Sequence, residues 1–445
     1  MPTFKHAEVV EVRLDGVAVG AISQLGNAPY YAFEYYPKWI NAGFSISPLY
    51  LPLRPGAFTF PALVGGTWHG LPAAIADALP DRFGNSLIEA KMAELGVSPE
   101  QITPLDRLTY VADRAIGALE FCPPQDLVAE QADLLDIAGL VTAARSALGG
   151  DIATDLAAKD ALQSLISVGV SAGGARAKAI VNIDPTTQEI SSGQYAVAGK
   201  EPWILKFDGV GSDKQLGASQ EYGRIEFAYS RMAAAAGIAV PQTRLLEEGG
   251  RAHFMSRRFD RIFQRVEKDG ELVETPRKLH LQTLCALGHI DFNLLQTNSY
   301  SQLFMVFERL GQDGQLNLTG SAETARCEAF RRMVFNYLAM NCDDHSKNFS
   351  FIADGSSGWR LAPAYDITFA YNPQSRWLKE HLMSVDGKFS DVTTNDFLAF
   401  ARRHKVPYAK RIIKEVSQAI ADWPSFAKDA GISKPTISKI AKLLI

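Results

Sequence analysis

Between residues 8 and 22 apolar and polar positions alternate on either side of Asp15-Gly16, and a period of two around a turn-forming pair predicts a β-hairpin. Residues 43–61 carry Pro48, Pro52, Pro55 and Pro61, which interrupt any long helix or central strand and leave short edge strands and loops. From residue 71 to 95 the spacing becomes helical, with a break at Leu79-Pro80-Asp81. Residues 107–121 read as a small α/β piece closing on Gly117-Ala-Leu-Glu-Phe, and Cys122-Pro-Pro-Gln-Asp marks a boundary.

Past it, residues 127–166 are Ala/Leu-rich and helix-like. A loop at 167–178 with three glycines (Gly169, Gly173, Gly174) hands over to an apolar strand at 179–183. Residues 203–207 predict a short buried strand, 222–236 a helix stopped by Gly237, and 253–259 a further strand. The remainder reads as mainly helical, apart from a short hairpin of residues 349–352 and 358–361 over Asp354-Gly355. Phe330, Met333, Val334, Tyr337 and Leu338 recur at i, i+3, i+4, i+7 and i+8, so one face of their helix is buried.

Composition changes this picture mostly by exclusion. With 445 residues, 47% hydrophobic and 21% charged, the chain is long enough for two to four structural units with cores of their own. No window approaches the roughly 20 apolar residues of a membrane helix, and the N-terminus lacks the pattern of a signal peptide. The four cysteines have no metal-ligand spacing, which predicts reduced thiols in a cytoplasm. A net charge of -4 carries no basic footprint for nucleic acid.

The chemistry concentrates in Asn341-Cys-Asp-Asp-His-Ser-Lys-Asn, where a buried-face helix ends and a hairpin begins. A phosphoryl-transfer loop needs a carboxylate at the attacking hydroxyl, with an amide and a second carboxylate to hold Mg²⁺ on the phosphates. Asp343 and Asn348 stand five residues apart, the spacing of that acid and amide in protein kinases, and Asp366 in Ala364-Tyr-Asp-Ile-Thr follows the hairpin. Asp344 is only four residues before Asn348 and should point away from the metal. Lys206 in a strand and Glu226 on the next helix supply the expected ion pair, because an ammonium in a strand interior calls for an anionic partner. Gly169, Gly173 and Gly174 precede them as a phosphate loop, although it matches neither G-x-G-x-x-G nor the P-loop pattern.

These residues carry a resemblance over nearly the whole chain. Gly70-Leu-Pro-Ala to Leu79-Pro-Asp-Arg, Gly173-Gly-Ala-Arg-Ala-Lys, Ile204-Leu-Lys, Ala236-Gly-Ile-Ala-Val-Pro, Arg258-Phe-Asp-Arg, Asp343-Asp-His-Ser-Lys-Asn and Ala362-Pro-Ala-Tyr-Asp resemble the HipA family of toxin serine/threonine kinases. The resemblance implies an α+β, two-lobed protein-kinase-like fold with an added N-terminal β-rich subdomain (residues 1–125), a small lobe with phosphate loop and hinge (126–260) and a mainly helical C-terminal lobe (261–445). It implies ATP and Mg²⁺ as cofactors, Asp343 as base with His345 and Lys347 beside it, and Asn348 and Asp366 at the metal. Lys206, Glu226, Gly173, Gly174 and Lys178 would serve the nucleotide, with Arg257 and Phe259 in the adenine hinge. Ser171 occupies the place of an inhibitory autophosphorylation site. The implied partners are a protein substrate such as an aminoacyl-tRNA synthetase and a small helix-turn-helix antitoxin through which DNA is reached.

Other readings stand beside it. A small-molecule phosphotransferase shares the loop logic, and a metal-dependent phosphohydrolase would use Asp343, Asp344 and His345 as ligands. A largely non-catalytic component of a DNA complex would draw on Ala430-Gly-Ile-Ser-Lys-Pro-Thr-Ile, which looks like the turn of a helix-turn-helix, but a capped terminal helix packed on the helical lobe is the favoured reading.

Overall fold

The computed structural model describes residues 4–124, 140, 176–193, 195–208, 221–248, 250–268, 270–312, 322–355 and 358–444. The chain divides into two compact units, residues 1–212 with 255–281, and residues 213–254 with 282–445. The mixture of helix and sheet is the α+β class expected.

The first unit opens on the hairpin that the alternation predicts. Val9–Leu14 pairs antiparallel with Val17–Gln24, and Asp15 and Gly16 turn the chain with φ of 47° and 81°. Val10, Val12 and Leu14 are buried on one face, as the two-residue period demands. Tyr31–Tyr35, Phe58–Thr59 and Leu119–Cys122 complete a five-stranded antiparallel sheet. The break at Leu79-Pro80-Asp81 is a helix start: Asp81 caps Arg82–Glu94 by accepting from the Gly84 N–H at 2.8 Å.

In a second sheet of this unit, Lys178–Ile183 runs antiparallel between Ile190–Ser192 and Glu201–Lys206. All six residues of the central strand are buried, so its polar side chains need partners. Asn182 donates to the carbonyls of Ser192 and Tyr195, and the Lys178 ammonium lies 3.2 Å from Asp81.

Residues 261–278 correct the expectation that the chain is mainly helical from there on. Arg261–Lys268 and Glu271–Lys278 form a long antiparallel hairpin, and both strands are exposed over most of their length. Exposure on both faces removes the alternation that would have marked them, which left Asp269-Gly270 as the only signal. Just before the hairpin, the Asp260 carboxylate accepts from Arg258 (2.9 and 2.7 Å), Arg261 (2.8 Å) and the Gly117 N–H (2.7 Å). Both guanidiniums also reach the Ala115 carbonyl. Gly117 has φ 86° and its backbone passes Leu281 so closely that a Cβ would sit 3.0 Å from that side chain.

The second unit is mainly helical. Ala322–Leu338 packs on Tyr300–Gln312 and Ala409–Ala421, and Tyr222–Ala235 packs on Trp423–Asp429. Gly223 lets the start of its helix approach the strand backbone, because a Cβ there would lie 2.0 Å from the Ala252 oxygen. The hairpin of Ser350–Ala353 and Trp359–Leu361 forms as predicted.

Candidate active site

The helix Ala322–Leu338 sets the position of everything that follows. Phe330, Met333, Val334, Tyr337 and Leu338 are buried as their spacing predicts, and Tyr229 donates to the Ala339 carbonyl at 2.8 Å. The helix ends with Met340 in the left-handed region (φ 52°) and the Asn341 N–H returning to the Asn336 carbonyl at 2.9 Å. This is the six-to-one bond of a helix-terminating motif with methionine where glycine is usual. The chain then zips to residue 370: Ala370 N–H donates to the Met340 carbonyl and Cys342 N–H to the Ala370 carbonyl.

The two adjacent acids now part company. Asp343 keeps a side chain 40% exposed, with the Trp377 indole N–H donating to its Oδ1 at 2.8 Å and His345 Nε2 3.7 Å from the same oxygen. Asp344 is wholly buried and accepts from the Tyr300 hydroxyl (2.7 Å), His381 Nδ1 (3.0 Å) and the Leu382 N–H (2.7 Å). Behind it, Asn336 Nδ2 donates to the Tyr300 hydroxyl, and Asn341 Nδ2 to the Asn336 side-chain oxygen. Burial first, and then the charge of Asp344, push the Tyr300 hydroxyl well above the ordinary tyrosine range, so it remains a donor. Cys342 lies 3.8 Å from His381 Nε2, but burial and the two carboxylates push its thiol up, which removes it as a nucleophile.

The short turn Ser346–Asn348 is fixed on both sides. The Ser346 hydroxyl donates to the Ile290 carbonyl, and Asn348 Nδ2 donates to the Asp343 carbonyl at 2.7 Å. That bond turns the amide so that its oxygen is left for a ligand. The Tyr365 hydroxyl donates to the Lys347 carbonyl at 2.6 Å, tying the Tyr-Asp pair to the loop, and Asp366 follows at φ 53°. His345 is buried against Phe292, its Nδ1 has no hydrogen-bond partner among the described residues, and the Lys347 ammonium sits over the Phe292 ring.

Among the described residues no three or more His, Cys, Asp or Glu are grouped to hold a metal by themselves. A carboxylate, an amide oxygen and nucleotide phosphates suit Mg²⁺, which takes few protein ligands, and Asp366 with Asn348 offers that donor set. The hydrolase alternative loses its second ligand, since Asp344 is committed to three other donors.

The remaining predicted residues fall in different places. Lys206 ends the strand Glu201–Lys206 in the first unit, and Glu226 is buried on Tyr222–Ala235 in the second. Lys178 has Asp81 as a carboxylate partner, Arg257 lies 3.1 Å from Glu201, and Phe259 is half-buried. Gly173, Gly174 and Ser171 lie outside the described residues. At the C-terminus, Trp423–Asp429 and Lys434–Ala441 form a helix pair whose second N-terminus is held by Glu221, which accepts from the Ser433 N–H at 2.7 Å and from the hydroxyls of Ser433 and Thr436. That capped end fits the packed-helix reading. Sequence reasoning missed Trp377, Tyr300 and His381. A tryptophan in the polar run Asn372-Pro-Gln-Ser-Arg-Trp was the one available signal. No helix of the described residues is long and apolar enough to cross a membrane.

Comparison with known proteins adds an independent line. The model of the HipA-like C-terminal domain matches residues 170–423, and that of the HipA N-terminal domain matches residues 10–122. A protein of Sinorhizobium fredii named "Putative kinase Y4mE" is 26% identical over 360 residues, covering 78% of this chain and 70% of that one. A "Putative kinase" of Haemophilus influenzae is 26% identical over 142 residues, 32% of this chain and 39% of its own length. Among solved structures, a chain of the Shewanella oneidensis toxin-antitoxin system complex of HipA, HipB and operator DNA superposes with a TM-score of 0.64 at 17% identity over 97% of this chain and 94% of that one. At that identity the likeness establishes the fold.

Proposed function

Since the chain belongs to the HipA family, we propose that it is an ATP- and Mg²⁺-dependent serine/threonine-protein kinase of the toxin type. One observation carries the reading: a half-exposed carboxylate, Asp343, whose own carbonyl is clamped by the Asn348 amide, with Asp366 tethered to the same turn through Tyr365. Asp343 accepts the proton of an acceptor hydroxyl as general base, and Asn348 and Asp366 hold the cation. When bound, Mg²⁺ supplies charge neutralisation on the transferring phosphoryl group. Lys206, Glu226, Lys178 and the loop of Gly173 and Gly174 are assigned to the nucleotide. Arg257 and Phe259 line the adenine hinge, and His345 and Lys347 shape the loop or meet phosphate.

The finer parts of the reading follow from the family. A component of the translation machinery such as an aminoacyl-tRNA synthetase is the acceptor. A small helix-turn-helix antitoxin is the partner that brings the complex to DNA, and phosphorylation of Ser171 switches the kinase off. The domain scheme of residues 1–125, 126–260 and 261–445 and a cytoplasmic site of action belong to the same proposal.

Intact-mass measurement after incubation with ATP and Mg²⁺ tests it. The wild type gains phosphoryl groups, mapped to Ser171, and Asp343→Asn slows the gain by about 10²–10⁴-fold, the usual contribution of a general base, with nucleotide affinity kept. Full activity in Asp343→Asn removes the assignment.

A further inference from the structure

Asp343 is the more exposed of the two acids, and a carboxylate at a surface turns freely unless something fixes it. Its Oδ1 is fixed by the Trp377 indole N–H at 2.8 Å, with His345 Nε2 at 3.7 Å beyond it, while Oδ2 makes no hydrogen bond among the described residues. An indole N–H only donates, so this contact defines one orientation of the carboxylate. We propose that Trp377 is a positioning residue for the catalytic base, holding Oδ1 so that Oδ2 faces the acceptor hydroxyl. This rests on the phosphotransfer reading above.

Trp377 is itself built in. The backbone N–H groups of Trp377 and Leu378 donate to the Ser375 hydroxyl at 3.1 and 3.2 Å, and the Leu378 carbonyl accepts from the Asn372 N–H at 3.0 Å. Its ring meets Phe292 edge-on at 6.2 Å and His345 at 6.2 Å. Downstream, the same segment is gripped by Asp344 through His381 and the Leu382 N–H. The circuit closes: the buried acid anchors the segment whose tryptophan orients the exposed acid. Trp377 also lines a cleft of about 520 Å³ with Leu294, Leu295 and Arg376.

Trp377→Phe deletes the N–H and keeps an aromatic ring against Phe292 and His345. With ATP, Mg²⁺ and a degenerate Ser/Thr peptide mixture, kcat falls about 10- to 100-fold, the cost of a misplaced catalytic group, and KM for ATP is unchanged. Trp377→His, which restores a ring N–H, recovers part of the loss. In ¹H–¹⁵N spectra of the full chain, the indole cross-peak assigned by its absence in Trp377→Phe shifts in Asp343→Asn. A Phe variant as fast as wild type, or faster because the indole obstructs the base, overturns the role, as does an indole peak indifferent to Asp343→Asn. A wild type that transfers no phosphoryl group overturns the phosphotransfer reading and this role with it; the indole peak, which needs no turnover, tells that failure apart from a wrong contact.

Discussion

Asp260 in the first unit and Asp344 in the second each accept a backbone N–H from a remote segment at 2.7 Å, from Gly117 and from Leu382. Their other partners differ. Burial alone would raise the Asp260 carboxyl, but Arg258 and Arg261 outweigh it and hold the group well below the usual carboxylate range. Asp344 has a phenol and an imidazole where Asp260 has two guanidiniums. The Asp260 cluster fastens residues 115–117, and full counter-charge suits that task. Asp344 adjoins Asp343, proposed as the base, and lies near Asn348, proposed to hold the cation. A guanidinium there would place a permanent positive charge beside the proposed base and cation site, whereas a phenol, an imidazole and a backbone N–H give rigidity without a permanent one.

The sharpest way to break this comparison is to neutralise each acid in turn. Asp260→Asn strands two buried guanidiniums and should cost about 3–5 kcal/mol of stability. Asp344→Asn strands no guanidinium and should cost about 1–3 kcal/mol, while releasing the 377–382 segment and slowing phosphoryl transfer. Denaturant titration of both variants checks the order. Equal losses would mean that counter-charge does not distinguish the two sites.

Much of this contrast could not be seen in the sequence, for a physical reason. Asp343 and Asn348 were legible because a single turn fixes their spacing, and the buried face of Ala322–Leu338 because a helix repeats. The contacts that distinguish Asp344 from Asp343 run to Tyr300, Trp377 and His381, 34 to 44 residues away in the chain, and such pairings leave no period to detect. The hairpin Arg261–Lys278 escaped for the opposite reason. It is entirely local, but with both faces wet its apolar residues Ile262, Val266, Leu272 and Val273 form no one-sided pattern.

A second test asks what the first unit does with a buried imidazole. His280 is buried and its Nε2 faces the Ile46 carbonyl at 2.7 Å, and burial pushes the imidazole down to about 4. The unfolded chain takes up this proton as pH falls through about 6.5, whereas the folded protein does so only near 4, so protons favour unfolding throughout that window. The stability held above pH 7 is lost as pH falls, by on the order of 2 kcal/mol at pH 5 from this residue. His280→Gln keeps a side-chain donor for Ile46 and should flatten the melting temperature between pH 7 and 5. An unchanged slope would assign the pH dependence elsewhere.

The smallest effect belongs to a third carboxylate of the same design. Glu221 also takes a distant backbone N–H at 2.7 Å, from Ser433, and adds the hydroxyls of Ser433 and Thr436, but it does so at the surface. Water can replace each of these bonds, so Glu221→Gln should cost no more than about 1 kcal/mol, the worth of an ordinary helix cap. The series Asp260, Asp344, Glu221 then separates what a carboxylate staple owes to geometry, shared by all three, from what it owes to burial and counter-charge. A loss at Glu221 as large as at Asp344 would show that the backbone bond dominates. It would also mean that the N-terminus of Lys434–Ala441 depends on this cap rather than standing ready for a nucleic-acid backbone, since the acceptor already there is an anion fixed by its own fold.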